Sequence, residues 1–354
     1  MDEDRKEEAM SSGSKSPGSK FIAVGENIHC TRIFKVGGKY VNSEGGSWRI
    51  VYEDRGKERI LPVPSFYLEG EDWKNGKVKH AAVGIWQGMN GADESARKAG
   101  QVYLQYMARI QEENKASFLD LNVDEYGADV NERIEAIRWA AQVMQGASAL
   151  PLSIDSSNVE ILKAGLSACD QSRDKSMVNS VSLERPTAIQ IAKDAGAVVI
   201  AGASSPTGMP STKAERLENL EVLTGKLREE GLTESDIYFD PLIFPISVDS
   251  GNGKAVFDTI RELRQRYGPG VHFAPGLSNI SFGMPNRKLL NQVFTYLCRE
   301  EGLDGGIVDP LQINQEILDS LDPESKPFVM ARDVLTGGDE FGMNYIMACR
   351  DGKL

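Results

Sequence analysis

Several features that mark particular protein classes are scarce in this sequence of 354 residues. Its four cysteines are scattered without a paired motif, which excludes a disulfide framework and is typical of a reducing compartment. No apolar run approaches the roughly 20 residues that a membrane-spanning helix requires. Lys and Arg number 40 against 52 Asp and Glu, and the net charge of −12 argues against nucleic acid or an anionic membrane surface as partner. We therefore predict a cytoplasmic protein that binds neither.

The first 20 residues are charged and rich in serine and glycine, and they contain no apolar stretch. This composition lacks the apolar segment of a secretory signal and is typical of a disordered tail. We therefore predict a disordered tail over residues 1–20 and a single folded domain over residues 21–354.

Short apolar runs recur after the tail, and segments with helical periodicity lie between them. Their length and continuous apolarity are typical of strands that are buried on both faces of a parallel sheet. The runs are FIAVGEN (21–27), FLDLNV (118–123), LPLSID (150–155), MVNSVS (177–182), AVVIAGA (197–203), IYFDPL (237–242), VHFAPGLSN (271–279) and GGIVDPL (305–311). Nearly all end in polar or glycine-rich residues. An open doubly wound sheet needs such residues only near its switch point, whereas a closed barrel gathers all eight strand ends into one mouth, so we predict a (β/α)8 TIM barrel.

One connection is much longer than an ordinary βα loop. It covers residues 30–92, between the first predicted strand and a helical segment that opens near Asp93. Two β-prone runs flank the sequence DRGK (54–57) and predict a hairpin. Because the insertion follows a strand, we expect it over the C-terminal face of the barrel, as a structural addition or as a lid or docking surface.

Carboxylate and carboxamide side chains stand at the ends of several predicted strands, namely Asp155, Asn179, Asp240 and Asn279. Each alone could instead cap the helix that follows its strand. In a barrel, however, the four would converge on one face, which favours a ligand site. They suit a planar ligand such as a pterin, because a carboxylate accepts from its N3–H and 2-amino groups together and a carboxamide serves the opposite polarity.

The sequence blocks around these residues resemble those of the pterin-binding methyltransferases and occur in the same order. The blocks are GENIH (25–29), LDLNVD (119–124), LSIDSS (152–157), MVNS (177–180), YFDPLIFP (238–245), GLSNISFGMPNR (276–287) and GLDGGIVDP (302–310). This family includes the methyltetrahydrofolate:corrinoid protein methyltransferases and the folate module of cobalamin-dependent methionine synthase. The resemblance covers roughly residues 21–320 apart from the insertion, and it implies a methyltransferase with a pterin pocket.

The resemblance also implies roles for individual residues. Asp155, Asn179 and Asp240 match positions that hold the pterin ring. Asn279 matches the asparagine that hydrogen-bonds near N5 of the folate, and it is therefore the expected catalytic residue.

Further positions of the same blocks are expected to shape the mouth of the barrel. By the resemblance, Asn122 and Glu26 line it, while Gly276 and Ser278 bring the backbone close to the ligand. Some relatives carry a polar residue at the position of Phe282, and others carry Phe. The difference is expected to change the polarity around N5, but it does not change the implied family.

The implied reaction moves a methyl group between N5 of tetrahydrofolate and the cobalt of a corrinoid. Tetrahydrofolate or 5-methyltetrahydrofolate is then the substrate, and cobalamin is supplied by a separate corrinoid protein. With only three histidines and no closely spaced Cys or His ligands, no metal site of the chain's own is expected. Relatives are usually dimers, so the resemblance also implies a homodimer.

Two alternatives stay open. Dihydropteroate synthase shares the barrel and the pterin pocket, but IVDPLQIN (307–314) and LNVDEYGADVN (121–131) lack the arginines that such enzymes carry in these stretches. The chain could also be a non-catalytic folate- or corrinoid-binding subunit, although the polar mouth argues against this. An Asp-x-His-x-x-Gly cobalt-ligand motif is absent, so the cobalt must come from another protein.

Overall fold

The computed structural model describes residues 20–354, so the predicted tail lies outside the described residues apart from Lys20. Eight strands form one parallel sheet, and we number them as barrel strands in chain order. They are Ile22–His29, Phe118–Asn122, Leu152–Asp155, Met177–Val181, Val198–Gly202, Ile237–Asp240, His272–Phe273 and Gly305–Val308. Their spatial order is seven, six, five, four, three, two, one, eight. All eight predicted strands are present, and the predicted TIM barrel is confirmed.

The barrel closes between its seventh and eighth strands. Ile307 donates its backbone N–H to the carbonyl oxygen of Pro275 at 2.9 Å, just beyond the two-residue seventh strand. Two glycines permit this close approach. A Cβ on Gly306 would overlap the side chain of Leu277, and a Cβ on Gly305 would lie 2.6 Å from a backbone oxygen of the first strand. Because every other amino acid carries a Cβ, closure requires glycine at both positions.

Apolar side chains from the strands fill the part of the barrel interior that is farther from the C-terminal ends of the strands. They form one cluster, made of Val24, Phe118, Met177, Val198, Ile200, Tyr238, Ala274 and Ile307. Side chains alternate between the two faces of a strand, so residues two positions further along point into the same interior, nearer to the C-terminal end. This alternation places Asp120, Asn179 and Asp240 in the layer above the apolar cluster.

Helices cover the outside of the sheet. Their bounds are His80–Asn90, Glu94–Glu113, Val130–Gln145, Val159–Ser167, Pro186–Asp194, Lys213–Glu229, Asn252–Tyr267, Arg287–Glu300, Gln315–Asp319, Lys326–Leu335 and Met343–Arg350. Short 3-10 helices lie at Glu234–Asp236, Gly268–Gly270, Leu277–Ser281 and Glu340–Gly342. Across residues 20–354, none of the helices has both the length and the apolarity needed to cross a bilayer.

The insertion contains the predicted hairpin. Ser47–Asp54 pairs with Lys57–Pro62 in antiparallel register through a turn at Arg55 and Gly56. Both turn residues have positive φ, 54° and 71°, as a two-residue turn of the primed type requires. A third strand, Val41–Glu44, pairs with the first strand of the hairpin and was not predicted.

Other parts of the insertion were also not predicted as separate elements. Ile33–Lys35 pairs with Lys77–Lys79 in a second small sheet, and two short helices, Ser65–Glu69 and Glu71–Lys74, lie between the sheets in sequence. A strand of three residues is too short to show a clear alternation of apolar and polar residues. Whether it forms depends on pairing with a strand that is distant in sequence.

The hairpin lies on the outer face of the helix Glu94–Glu113. The rings of Tyr52 and Tyr103 meet edge to face with centroids 4.9 Å apart. Arg109 donates a hydrogen bond to Asp54 at 2.5 Å. The three-stranded sheet is therefore anchored to the first helix of the barrel, whereas the beginning of the insertion borders the cavity described next.

Candidate active site

A cavity of about 630 Å³ lies at the C-terminal ends of the first, seventh and eighth barrel strands, which is within the ~300–1,000 Å³ range of small-molecule sites. Three predicted site residues line it, namely Glu26, Ser278 and Asn279. Phe34 and His80 of the insertion form part of the opposite wall. The cavity is thus shared between the barrel and the insertion.

Three further predicted site residues stand side by side on neighbouring strands. Asn122 pairs in register with Asp155, and Asp155 pairs in register with Asn179. Asn122 donates a hydrogen bond from Nδ2 to Asp155 Oδ2 at 2.9 Å. Asn158, and not Asp155, caps the following helix by accepting from two backbone N–H groups. The carboxylate of Asp155 is therefore not used by the helix terminus.

Asp120 belongs to the same cluster, although it is not one of the residues predicted from the strand ends. It is fully buried, and its Oδ2 lies 3.2 Å from Asn179 Nδ2 and 2.8 Å from His29 Nε2. His29 also lines the cavity, so a chain of hydrogen bonds runs from the cavity through Asp120 to Asn179. Asp120 could have been recognised in the sequence, because a carboxylate is unusual inside an apolar strand. It also lies two positions before Asn122 and therefore on the same face of the strand.

Asp240 ends the sixth strand and stands apart from this cluster. Its Oδ1 accepts a hydrogen bond from the backbone N–H of Leu242 at 2.8 Å. The buried Arg216 donates to the carbonyl oxygen of Pro241 at 2.9 Å and so fixes the loop that follows. Among residues 20–354, no hydrogen bond joins Asp240 to the row of Asn122, Asp155 and Asn179.

The loop after the seventh strand positions Asn279. It forms the 3-10 helix Leu277–Ser281, and Arg287 donates to the carbonyl oxygen of Ser278 at 2.9 Å. A Cβ on Gly276 would lie 3.0 Å from Asn279 Nδ2, so glycine leaves room for the amide group. Of the predicted residues, the structure thus brings Glu26, Ser278 and Asn279 to the cavity wall.

Comparison with known proteins identifies the family. The model of the family described as pterin binding enzyme matches residues 94–309. The chain belongs to the pterin-binding enzyme family. The matched segment contains the second to eighth barrel strands and every predicted site residue except Glu26.

Two proteins of known activity and one solved structure are similar to this pterin-binding enzyme, and the first of them supports the family by its identity and coverage. Methylcorrinoid:tetrahydrofolate methyltransferase from Eubacterium limosum is 30% identical over 282 residues, which cover 76% of this chain and 97% of that protein. Methionine synthase from Mycobacterium tuberculosis is 32% identical over 222 residues, which cover 58% of this chain but only 18% of that protein. The crystal structure of dihydropteroate synthase from Stenotrophomonas maltophilia aligns with a TM-score of 0.48 at 14% identity, over 70% of this chain and 89% of that chain. The predicted family and enzyme class, a methyltransferase, are confirmed.

Burial changes the protonation of the acidic groups of this pterin-binding enzyme. Burial, followed by the charge of Asp120, raises the pKa of Asp155 to about 7, whereas the charge of His29 acts in the opposite direction. Burial also raises the pKa of Asp240 to about 6, although backbone hydrogen bonds from Leu242 and Gly276 and the charge of Arg216 act in the opposite direction. Burial on its own would lower the pKa of His29, but the hydrogen bond and charge of Asp120 outweigh it and raise that pKa. His29 therefore carries a positive charge more readily than a free histidine.

One group of side chains could hold a metal ion in the part of the enzyme that the structure describes. The ligand atoms of His29, Asp120 and Asp155 all lie within 4.8 Å of one another. The hydrogen bond from His29 to Asp120 and that from Asn122 to Asp155 already occupy these atoms without an ion. The expectation that the enzyme has no metal site of its own stays a prediction.

Proposed function

We propose that this enzyme moves a methyl group between N5 of tetrahydrofolate and the cobalt of a corrinoid that a partner protein carries. The observation that carries this proposal is the row of Asn122, Asp155 and Asn179, which stand in one register in a chain that aligns with 97% of a methylcorrinoid:tetrahydrofolate methyltransferase. The row supplies adjacent carboxylate and carboxamide groups to a planar heterocycle. The name of the aligned relative indicates the two partners of the reaction, a methylcorrinoid and tetrahydrofolate.

The row is suited to a pterin ring because of its polarity. An ionised Asp155 accepts hydrogen bonds from the N3–H and 2-amino groups together, and the bond from Asn122 holds its carboxylate in place. Asn179 offers a carboxamide on the neighbouring strand, and its bond to Asp120 fixes the orientation of that group. In this arrangement the buried groups around the ring orient it before any chemistry occurs.

Asn279 is proposed to act at N5. When the methyl group leaves N5 for cobalt(I), N5 keeps the electron pair of the broken bond and takes up a proton from solvent, so that the product tetrahydrofolate carries an N5–H group. Asn279 lines the cavity on the loop after the seventh strand, and its side-chain N–H can donate to N5. Such a bond strengthens as charge develops in the transition state, so it lowers the barrier more than it improves folate binding.

The direct test is a methyl-transfer assay with the purified protein. We expect methyl transfer from 5-methyltetrahydrofolate to cob(I)alamin, and from methylcobalamin to tetrahydrofolate in reverse. Both directions are followed by the change in corrinoid absorbance under anaerobic conditions, with heat-denatured protein as the control. If neither direction proceeds with free cobalamin or with cobalamin bound to a corrinoid protein, the proposed function is wrong.

Folate affinity should depend on pH because Asp155 must be ionised to accept two hydrogen bonds. Its raised pKa of about 7 means that the carboxyl group gains a proton as the pH falls through that value, and the added proton then faces the N–H groups of the pterin. Each pH unit below the pKa lowers the ionised fraction, and hence the affinity, by about tenfold. Anaerobic equilibrium binding of tetrahydrofolate between pH 8.5 and pH 5.5 measures this dependence.

The matched control for the pH dependence is Asp155→Asn, whose side chain does not titrate in this range. Its residual affinity should vary much less with pH than that of the unmodified enzyme. A constant affinity of the unmodified enzyme between pH 8 and pH 6 would contradict the assignment of Asp155 as the ionised acceptor.

A further inference from the structure

The insertion differs in charge from the rest of the chain. Residues 30–92 contain ten lysines and arginines against seven acidic residues, whereas the whole chain contains 40 against 52. An excess of positive charge is therefore confined to the segment that forms part of the cavity wall. In a chain that is otherwise acidic, such a region attracts partners with an acidic surface.

The small sheet at the beginning of the insertion places two of these lysines opposite each other. Its strands, Ile33–Lys35 and Lys77–Lys79, are antiparallel, and Lys35 pairs with Lys77 in register. Side chains that pair in this way lie on the same face of the sheet with Cβ atoms about 4.5–5.5 Å apart, and like charges there destabilise the strand pair. Both lysines are exposed, and within residues 20–354 neither forms an ion pair with a carboxylate. We call Lys35 and Lys77 the lysine pair.

A neighbouring lysine shows how the chain compensates a positive charge elsewhere in the same sheet. Nζ of Lys79 lies 2.8 Å from a carboxylate oxygen of Asp72 and 3.1 Å from one of Glu125. Lys39, which follows the first strand, lies over the ring of Tyr40 at 5.0 Å from its centroid, and no carboxylate of the described residues pairs with it. The lysine pair and Lys39 therefore leave three positive charges uncompensated on one short stretch of surface.

The surface that carries the lysine pair continues into the wall of the cavity. Ile33 lines the cavity, and because it stands two residues before Lys35, the two side chains share one face of the strand. Phe34 points to the other face, where it stacks on His80 with ring centroids 4.0 Å apart. Ile33 keeps 47% of its surface exposed. The exposed face of the small sheet thus runs from the opening of the cavity to the lysine pair.

A corrinoid that a protein carries must bring its cobalt to the methyl group inside the cavity, so the partner has to cover the opening. We propose that the lysine pair docks this partner, which meets it with carboxylates on its own surface. The two like charges that repel each other in the free enzyme are then neutralised in the complex, and Ile33 packs against the partner beside them. This inference rests on the proposed function, because it takes a corrinoid protein as the partner.

The lysine pair then acts in recognition and not in the methyl transfer itself. Attraction between opposite charges speeds the encounter of two proteins and disfavours partners whose surface is basic. Free cobalamin has no protein surface and reaches the cavity without the lysine pair. The two forms of the corrinoid should therefore depend differently on these lysines.

The test compares free cob(I)alamin with a protein-bound corrinoid, using the full-length enzyme and 5-methyltetrahydrofolate under anaerobic conditions. The corrinoid protein is purified from the cells that make the enzyme, as the fraction whose corrinoid exchanges methyl groups with tetrahydrofolate when the enzyme is present. KM and kcat for both forms of the corrinoid are measured for the unmodified enzyme and for the double variant Lys35→Gln/Lys77→Gln. The dissociation constant of tetrahydrofolate is measured for the same two proteins.

The matched control is Lys115→Gln/Lys226→Gln, which removes the same number of positive charges. Both lysines are exposed, and they lie at or just beyond the C-terminal ends of the helices Glu94–Glu113 and Lys213–Glu229. In a β/α barrel these ends face away from the mouth. Thermal unfolding checks the fold of both double variants. Loss of the lysine pair should not lower the midpoint, because it removes a repulsion between like charges.

We expect KM for the corrinoid protein to rise about 4- to 25-fold in Lys35→Gln/Lys77→Gln, which corresponds to about two- to fivefold for each exposed ion pair. Its kcat should not change, and neither should KM or kcat for free cob(I)alamin. The control variant should behave as the unmodified enzyme does. The rise in KM should become smaller as salt is added, because salt screens the charges.

The other outcomes separate the docking surface from the proposed function. An unchanged KM for the corrinoid protein, or an equal rise for free cob(I)alamin, would overturn the docking surface and leave the proposed function in place. Weaker binding of tetrahydrofolate to the double variant would also overturn it, because the lysines would then face the folate. If only free cob(I)alamin accepts the methyl group, the docking surface alone is wrong. If neither form does, the proposed function fails, and the docking surface fails with it.

Discussion

Replacement of Asn279 by alanine is expected to lower the rate of methyl transfer by about 10²–10³-fold, which corresponds to about 2.7–4 kcal/mol. The reason is that the hydrogen bond to N5 becomes strong only as the methyl group departs, so its loss raises the barrier more than it weakens folate binding. Single-turnover rates at saturating folate, measured together with the dissociation constant of the folate, separate the two effects.

Gln190→Ala is the matched control for Asn279→Ala. It removes an exposed carboxamide from the outer helix Pro186–Asp194, where, among residues 20–354, the carboxamide hydrogen-bonds only to Asp194 on the same helix. The rate of this variant should equal that of the unmodified enzyme. An Asn279→Ala enzyme that keeps the full rate, or that loses only folate affinity, would exclude Asn279 from the chemical step.

Replacement of Asp155 by asparagine is expected to weaken folate binding by about 10–150-fold, or about 1.5–3 kcal/mol, the usual contribution of hydrogen bonds to a charged group. The two side chains have nearly the same shape, but asparagine presents an N–H group where the carboxylate accepts from the pterin. The rate at saturating folate should change less than the affinity. Equilibrium binding at pH 8, where the carboxyl is ionised, measures the effect most directly.

The same variant tests whether a loss of affinity reflects unfolding. Burial and Asp120 raise the pKa of Asp155, so the charged carboxylate destabilises the folded state at pH 8. Asparagine removes this charge, and the midpoint of thermal unfolding at pH 8 should therefore not fall. A variant of unchanged stability and unchanged folate affinity would contradict the role of Asp155 in pterin binding.

The barrel could be predicted from the sequence because its strands are buried on both faces. Each strand is then a continuous apolar run, and the polar residues at its end fall at the mouth, so two local patterns agree. The hairpin at Arg55 and Gly56 could be predicted for a similar reason, since its turn has a local signature. The strand Val41–Glu44 has no such signature, because its position depends on contacts with the hairpin.

The candidate site was predicted only in part. Most of the site residues were found because they stand at the ends of predicted strands, whereas Asp120 lies inside the apolar run of the second strand. Its contact with His29 joins residues that are 91 positions apart, and no local pattern encodes such a pair. The wall that the insertion contributes to the cavity was also missed, since Phe34 and Asn279 line one cavity only after the chain has folded.

The two glycines that close the barrel have a consequence for protein engineering. A barrel whose mouth carries the specificity is an attractive scaffold, because its strand-end residues and its insertion can be exchanged without touching the core. Positions 305 and 306 do not share this freedom, since even a single methyl group there would collide with the neighbouring strand or with Leu277. A library for new ligands can therefore randomise the mouth, but it must keep this glycine pair unchanged.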